Sequence, residues 1–409
     1  MFLSFWGAKR RRISHTREIP STSSGQALRC VQDDTLNMRI IFFGTPEFSV
    51  PAIKALAMAG WNIVAVITKP DKPVGRGLKI ESPLIKTAAE NLGLPVLRPK
   101  TLRDVAAGLQ PAHSTERRLK PAPTFIHQLK SLKPDLGIVV AYGKIIPDAV
   151  LNIFPKGVVN IHPSLLPKYR GPSPIQAALL NGDSETGVTI MLLDKEMDHG
   201  PILAQQRMKI ENTPKTVITK HDAAALNSVR MTGLALSNKL ADIGAQLLVE
   251  ILPKYLDGEI TPQPQDHGRA TFTKILEREN GQIDWKQSAE HIERMIRAYD
   301  LWPGTWTLWP AQISAPAPIR SDELQSGKSQ KFQSGKRLKV IRGSLLHPTI
   351  GCATNSTPGY VWQTEDGQLA TNCNPGSLIL ELLQIEGRKS MSGQDFLHGY
   401  PKFLGAILS

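Results

Sequence analysis

From Met38 onward the chain alternates runs of apolar β-formers with stretches of helical period, and that rhythm most restricts how it can fold. Arg39-Ile-Ile-Phe-Phe43 enters the turn Gly44-Thr-Pro46. Ser49 to Ala59 has helical spacing, with Pro51 early, where a helix tolerates its missing N–H. Asn62 to Thr68 is a second strand, Ser82 to Leu92 a second helix and Pro95-Val-Leu97 a third strand. Strand, helix, strand, helix, strand at this spacing predicts a parallel sheet covered by helices. The order continues with a helix over Thr124 to Leu132 and strands over Leu136 to Ala141 and from Val158. A helix over Pro174 to Leu180 and a strand over Gly187 to Leu193 follow. An extended piece from Pro201 to Ile210 and a long amphipathic helix over Ala235 to Leu252 complete the region.

At 409 residues the chain is too long for one ordinary domain. The pattern changes after residues 257–268, which are rich in Pro, Gly, Gln and Asp and fit a linker. The first domain is therefore expected over 38–256. A smaller, mostly β domain of barrel type is expected over 269–409, with one helix from Ser288 to Tyr299. Its extended pieces include Ala270-Thr-Phe-Thr273, Lys339-Val-Ile341, Gly359 to Trp362 and Leu378 to Leu383. Residues 103–123 and 212–232 interrupt the rhythm without an apolar face and are expected to be surface insertions. Residues 1–37 carry Lys9-Arg-Arg-Arg12 and a Ser-rich run. They fit a disordered tail or a spurious extension ahead of Met38, with an organelle transit peptide as the other reading.

The formal charge of +13 is compatible with a nucleic-acid partner and equally with a merely basic enzyme. Part of the excess lies in Lys69 to Lys79, where Lys69, Lys72, Arg76 and Lys79 face only Asp71 on a Pro- and Gly-rich loop. Residues 320–342 add seven cations against Asp322 and Glu323. Such loops can contact phosphates, although a solvated connector has the same composition. Cys30, Cys352 and Cys373 have no C-x-x-C spacing, which argues against a disulfide framework or zinc site and for a reducing compartment. No apolar run approaches the length of a bilayer span.

The chemistry concentrates at Val158-Val-Asn-Ile-His-Pro-Ser-Leu-Leu-Pro-Lys-Tyr-Arg-Gly-Pro172, a buried strand leaving into a stiff loop. Asn160 and His162 sit at the exit, and Asp198 follows the apolar run ending at Leu193. Two strand ends could gather all three around one centre, since open α/β sheets place sites at strand C-termini. A histidine needs an orienting acceptor, which Asp198 could supply, and a carboxamide can donate to a developing oxyanion. An Asn and a His two residues apart also fit a structural pair. No Ser or Cys nucleophile stands with them, and the glycine spacing does not make a nucleophile elbow. Neither G-x-G-x-x-G nor G-x-x-x-x-G-K-[ST] occurs, so no nucleotide cofactor is expected, and no metal. The nucleophile then belongs to the substrate, in an acyl-type transfer.

These residues resemble the methionyl-tRNA formyltransferases, a branch of the folate-dependent formyltransferase superfamily. The resemblance runs from Met38 to the C-terminus. It includes Arg39 to Phe48, Lys69 to Gly77, Ala141-Tyr-Gly143, Asn160 to Gly171, Glu185 to Ile190 and Met197 to Pro201. Ile283-Asp-Trp285, Trp302-Pro-Gly304 and Asp395 to Tyr400 carry it into the second domain. It implies an α/β Rossmann-like formyltransferase domain with a parallel-rich sheet, followed by an OB-like tRNA-binding barrel. The implied donor is 10-formyltetrahydrofolate, and the acceptor is the α-amine of methionyl-initiator tRNA. Asn160 and His162 would stabilise the tetrahedral intermediate and manage its proton, with Asp198 orienting the histidine. Ser164, Leu165, Leu166 and Pro167 match the folate-contact segment. Arg76 matches an acceptor-stem arginine, flanked by Lys72 and Lys79. The Lys168-Tyr-Arg-Gly171 continuation is expected to lie toward the acceptor, in a cytoplasmic monomer. An amino-sugar, ribonucleotide-amine or water acceptor would use the same Asn, His and Asp, and a non-catalytic RNA-binding relative would keep the fold.

Overall fold

The computed structural model describes residues 37–74, 79–102, 125–211, 230–310, 335–346 and 355–409. Residues 1–36, Arg76, the 103–123 insertion, most of the 212–232 insertion and most of the cationic 320–342 stretch lie outside them.

The first lobe opens with β1 (Arg39–Gly44), helix α1 (Val50–Met58) and β2 (Asn62–Ile67). A short antiparallel hairpin follows, β3 (Lys72–Val74) and β4 (Lys79–Glu81), where the sequence indicated only an irregular loop. Next come α2 (Leu84–Asn91), β5 (Val96–Leu97), α3 (Phe125–Ser131), β6 (Leu136–Val140) and α4 (Asp148–Leu151). β7 (Val158–His162), α5 (Pro174–Leu180), β8 (Glu185–Leu192), β9 (Ile202–Lys209) and α6 (Gly233–Leu256) close the lobe.

Seven strands form one sheet in the order β5-β2-β1-β6-β7-β8-β9. The first five are parallel, whereas β8 and β9 are antiparallel additions at one edge. Ile40 to Phe43 are fully buried because both faces of β1 are covered, as an internal parallel strand requires. Ile40 and Phe42 pack with α1 and α6, and Ile41 and Phe43 pack on the other face with Leu129 and Phe154. Strand order reverses between β1 and β6, which opens a crevice at the strand C-termini beside β7.

Helix α6 backs β7 closely. A Cβ on Gly244 would stand 2.7 Å from Ile161 Cγ2 and 3.3 Å from Val188 Cγ1, so glycine permits this approach. Thr232 caps the helix by accepting from the Ala235 N–H, and Met231 is buried. Residues 230–232 are therefore built into the fold, although they were assigned to a surface insertion.

The second lobe holds α7 (Ala289–Ala298), β10 (Trp306–Trp309), β11 (Lys336–Leu345), β12 (Val361–Gln363), β13 (Leu369–Asn372), β14 (Ser377–Ile385), β15 (Met391–Ser392) and α8 (Gly393–Gly399). Its antiparallel sheet runs β10-β11-β14-β13-β12, with β15 on β14. The path does not close by itself. The C-terminal tail bridges the gap: Ser409 exchanges hydrogen bonds with Leu308, and Ala406 to Leu408 pair with Gly359 to Val361.

Helix α7 joins the lobes. Ile292 and Ile296 enter the barrel core, while Met295, Ala298 and Tyr299 enter the core of the first lobe. Glu293, buried on the same helix, pairs with Arg297 at 2.7 Å and Arg230 at 3.1 Å. Among the described residues no helix is long and apolar enough to cross a membrane.

Gly244→Val is expected to destabilise the protein by about 1–3 kcal/mol through overpacking against Ile161. Denaturant unfolding checks this, and an unchanged midpoint would contradict the close packing of α6 on β7.

Candidate active site

Asn160 and His162 lie two residues apart on β7 and so project from one face of the sheet. Both are buried, at 7% and 4% exposure. Among the described residues the Asn160 carboxamide takes no hydrogen-bond partner, which leaves its N–H donors open to an incoming oxygen. His162 Nε2 lies 2.9 Å from the Tyr169 carbonyl. A carbonyl only accepts, so Nε2 carries the proton and donates it. Nδ1 then faces Asp198 Oδ2 at 3.7 Å, within ion-pair range but longer than a hydrogen bond. The orienting hydrogen bond that the sequence assigned to Asp198 is thus made by a backbone carbonyl. No residue-type signal could have identified it, because every residue has one.

Asp198 also arrives by a different route from the one expected. Strand β8 is antiparallel to β7, and Leu192 pairs with Val159 near the start of β7. The end of β8 is therefore remote from His162, and the 193–201 loop carries Asp198 back. Asp198 adopts φ +48°, a conformation that L-residues rarely hold. Its Oδ2 accepts from the Gly171 N–H at 2.7 Å, and its own carbonyl accepts from Gln265 Nε2 at 2.9 Å.

The 164–167 segment is fixed from behind. Ser164 is buried and donates to the Lys168 carbonyl at 2.6 Å. Thr189 Oγ1 donates to the Ser164 carbonyl at 2.6 Å and accepts from Leu166 N and Gln205 Nε2. Leu166 is buried, whereas Leu165 and Pro167 are partly exposed. The loop therefore presents the side chains of Leu165 and Pro167, while Ser164 and Leu166 support it.

Tyr169 and Arg170 do not extend outward toward an acceptor. Both are buried, and Arg170 donates to Gln265 Oε1 from Nε at 3.1 Å and Nη2 at 2.7 Å. Only Lys168 reaches solvent, paired with Asp183 at 2.6 Å. Ala270 to Thr273, expected as a barrel strand, instead pairs with this loop. Arg170 N donates to the Thr271 carbonyl, Thr273 N to the Arg170 carbonyl, and Tyr169 N to Thr271 Oγ1.

Tyr142 lies beyond β6, its ring edge-on to Phe43 at 5.6 Å. Burial pushes its hydroxyl pKa up to about 12. Lys72 and Lys79 stand opposite each other's neighbours on the β3–β4 hairpin, with Lys72 across from Glu81 and Lys79 across from Val74. Among the described residues no group of three or more His, Cys, Asp or Glu side chains is arranged to hold a metal ion.

A family model for formyl transferase matches residues 38–227, and one for the formyl transferase C-terminal domain matches residues 275–401. The methionyl-tRNA formyltransferase of Roseiflexus castenholzii is 41% identical over 368 residues, covering 89% of this chain and 96% of its own. That of Chloroflexus aggregans is 46% identical over 363 residues, covering 88% and 97%. The chain belongs to the methionyl-tRNA formyltransferase family.

The family fold extends to more distant proteins. HypX from Aquifex aeolicus, solved in complex with tetrahydrofolic acid, matches with a TM-score of 0.51 at 16% identity, over 90% of this chain and 48% of that one. WlaRD, a sugar 3N-formyl transferase solved in the presence of dTDP and 5-N-formyl-THF, also gives 0.51 at 16% identity, over 86% of this chain and 99% of its own. At such identity the likeness shows the fold alone. For this formyltransferase-family chain, Thr189→Val is expected to cost about 1–3 kcal/mol, because it strands the buried Leu166 N–H and Ser164 carbonyl that share one hydroxyl. A thermal midpoint equal to that of the parent would refute that role.

Proposed function

We propose that the protein transfers the formyl group of 10-formyltetrahydrofolate to the α-amine of methionyl-initiator tRNA. The observation that carries this reading is the convergence of Asn160, His162 and Asp198 in a chain of this family. The reaction is an attack of the amine on the formyl carbon, collapse of a tetrahedral adduct and departure of the folate nitrogen with a proton. Asn160 donates to the oxyanion of the adduct. His162, held through Nε2, uses Nδ1 to accept the proton from the attacking amine and deliver it to the leaving nitrogen. Asp198 across from Nδ1 favours the imidazolium that forms between these two steps. Positioning both substrates supplies the remaining acceleration.

Leu165 and Pro167 supply apolar contact for the folate, with Ser164 and Leu166 shaping the segment beneath them. The tRNA is held by the basic 69–79 segment, where Arg76, Lys72 and Lys79 meet acceptor-stem phosphates, and by the barrel of residues 269–409. A cavity of about 250 Å³ on the barrel supports this. It is lined by Trp302, Trp306, Arg278, Arg337 and Lys339, and the Arg337 guanidinium lies 4.1 Å over the Trp306 ring. Trp306 is buried under Arg337, and the exposed indole of Trp302 beside these cations is suited to stacking on a base of single-stranded RNA.

Asn160→Ala and His162→Ala are each expected to lower turnover by roughly a hundredfold or more. The check is formylation of charged initiator tRNA, with ribonucleotide amine, amino sugar and water as competing acceptors. Near-parent rates in both variants, or preferential formylation of another acceptor, would sink the proposal. Arg76→Ala is expected to weaken tRNA use and reduce the salt slope of tRNA binding by about one, leaving folate affinity intact. An unchanged slope would remove Arg76 from the interface.

A further inference from the structure

The segment joining the two lobes does more than span them. Gln263 exchanges backbone hydrogen bonds with Ile202, at 2.7 and 2.8 Å. Two residues on, Gln265 is 95% buried, and its carboxamide fills all four of its hydrogen-bonding positions. Oε1 accepts twice from Arg170, and Nε2 donates to the carbonyls of Asp198 at 2.9 Å and Gly200 at 2.8 Å. His267 accepts from Arg170 Nη2 at 2.8 Å, and Thr271 and Thr273 bond the backbone on either side of Arg170. The same segment then reaches the barrel, where Trp302 and Trp306 donate from their indole nitrogens to the Leu276 and Arg278 carbonyls.

We infer that Gln265 is a positioning residue for Asp198, so that the segment between the lobes sets the geometry at His162. The inference rests on the proposed catalytic role of Asp198. Asp198 holds a left-handed backbone conformation that persists only where the surroundings over-determine it. Two bonds do so: Gly171 N–H on the carboxylate and Gln265 Nε2 on the carbonyl. Gln265 also fixes Arg170, which sits between the carbonyl that orients His162 and the N–H that holds Asp198. A single buried carboxamide therefore supports both sides of the histidine. Glutamate cannot donate to the two carbonyls, asparagine is one methylene short, and leucine keeps the volume with none of the bonds.

The test is a double-mutant cycle between Gln265→Leu and Asp198→Asn, read as kcat and KM with 10-formyltetrahydrofolate and charged initiator tRNA. Gln265→Leu is expected to lower kcat at least about tenfold, with both KM values changed less than about threefold. In the Asp198→Asn background it is expected to cost much less than in the parent, because only its support of the Tyr169 carbonyl through Arg170 is left to lose. A merely structural glutamine would lower stability and give penalties that multiply across the cycle, and that result overturns the inference. Gln265→Glu guards against loss of folding. It retains a partner for Arg170 but removes both donors to the 198–200 loop, so it must give the same non-additive result. Parent-like turnover in Asp198→Asn alone would instead overturn the catalytic reading of Asp198. Slow turnover there with additive penalties would overturn only the role of Gln265.

Discussion

The hydrogen bond from His162 Nε2 to the Tyr169 carbonyl is the interaction on which the site depends. It selects the tautomer, sets the ring plane and leaves Nδ1 facing Asp198. Its acceptor is backbone, so the ring is only as well placed as the loop that carries Tyr169. That loop is pinned at Pro167, Tyr169, Arg170 and Ser173 by the stretch from Thr271 to Lys274. A feature at the end of one strand is therefore held by residues about a hundred positions away.

The sheet supplies the stiffness behind it. β7 is buried along its whole length, with α6 pressed against Ile161 where Gly244 leaves room. The antiparallel pair β8–β9 closes this side of the sheet and provides Thr189 and Gln205, which hold the 164–167 turn. A wholly parallel sheet would have needed a crossover helix here, over the face that Asn160 and His162 occupy. Reversing the strand leaves that face to loops, and loops can bring a carboxylate back across it.

The lobes share one helix and one strap. Helix α7 faces both cores at once, and its buried Glu293 ties Arg297 to Arg230 ahead of α6. The strap from Gln263 to Lys274 holds the Asp198 turn and the Tyr169 loop before it enters the barrel. A displacement of the barrel would thus act on the strap that also holds the Asp198 turn.

Much of this was legible in the order of residues. The alternation of apolar strands and amphipathic helices specified a parallel-rich sheet because burial on both faces demands continuous apolar runs, as in Ile40 to Phe43. Asn160 and His162 stood out as candidates because polar residues on a buried strand exit into Pro- and Gly-rich chain. The direction of β8, the path of Asp198 and the pairing of Thr271 with the Tyr169 loop were not legible, because each is a long-range pairing that leaves no local period. Arg170 was expected to lie toward the acceptor, yet it is buried against Gln265 and His267. The sequence alone determined which side chains are candidates for the chemistry and which segments build the first sheet. Tertiary structure alone decided how those side chains face one another, since backbone carbonyls and N–H groups, identical at nearly every position, acquire a role only from what folds against them.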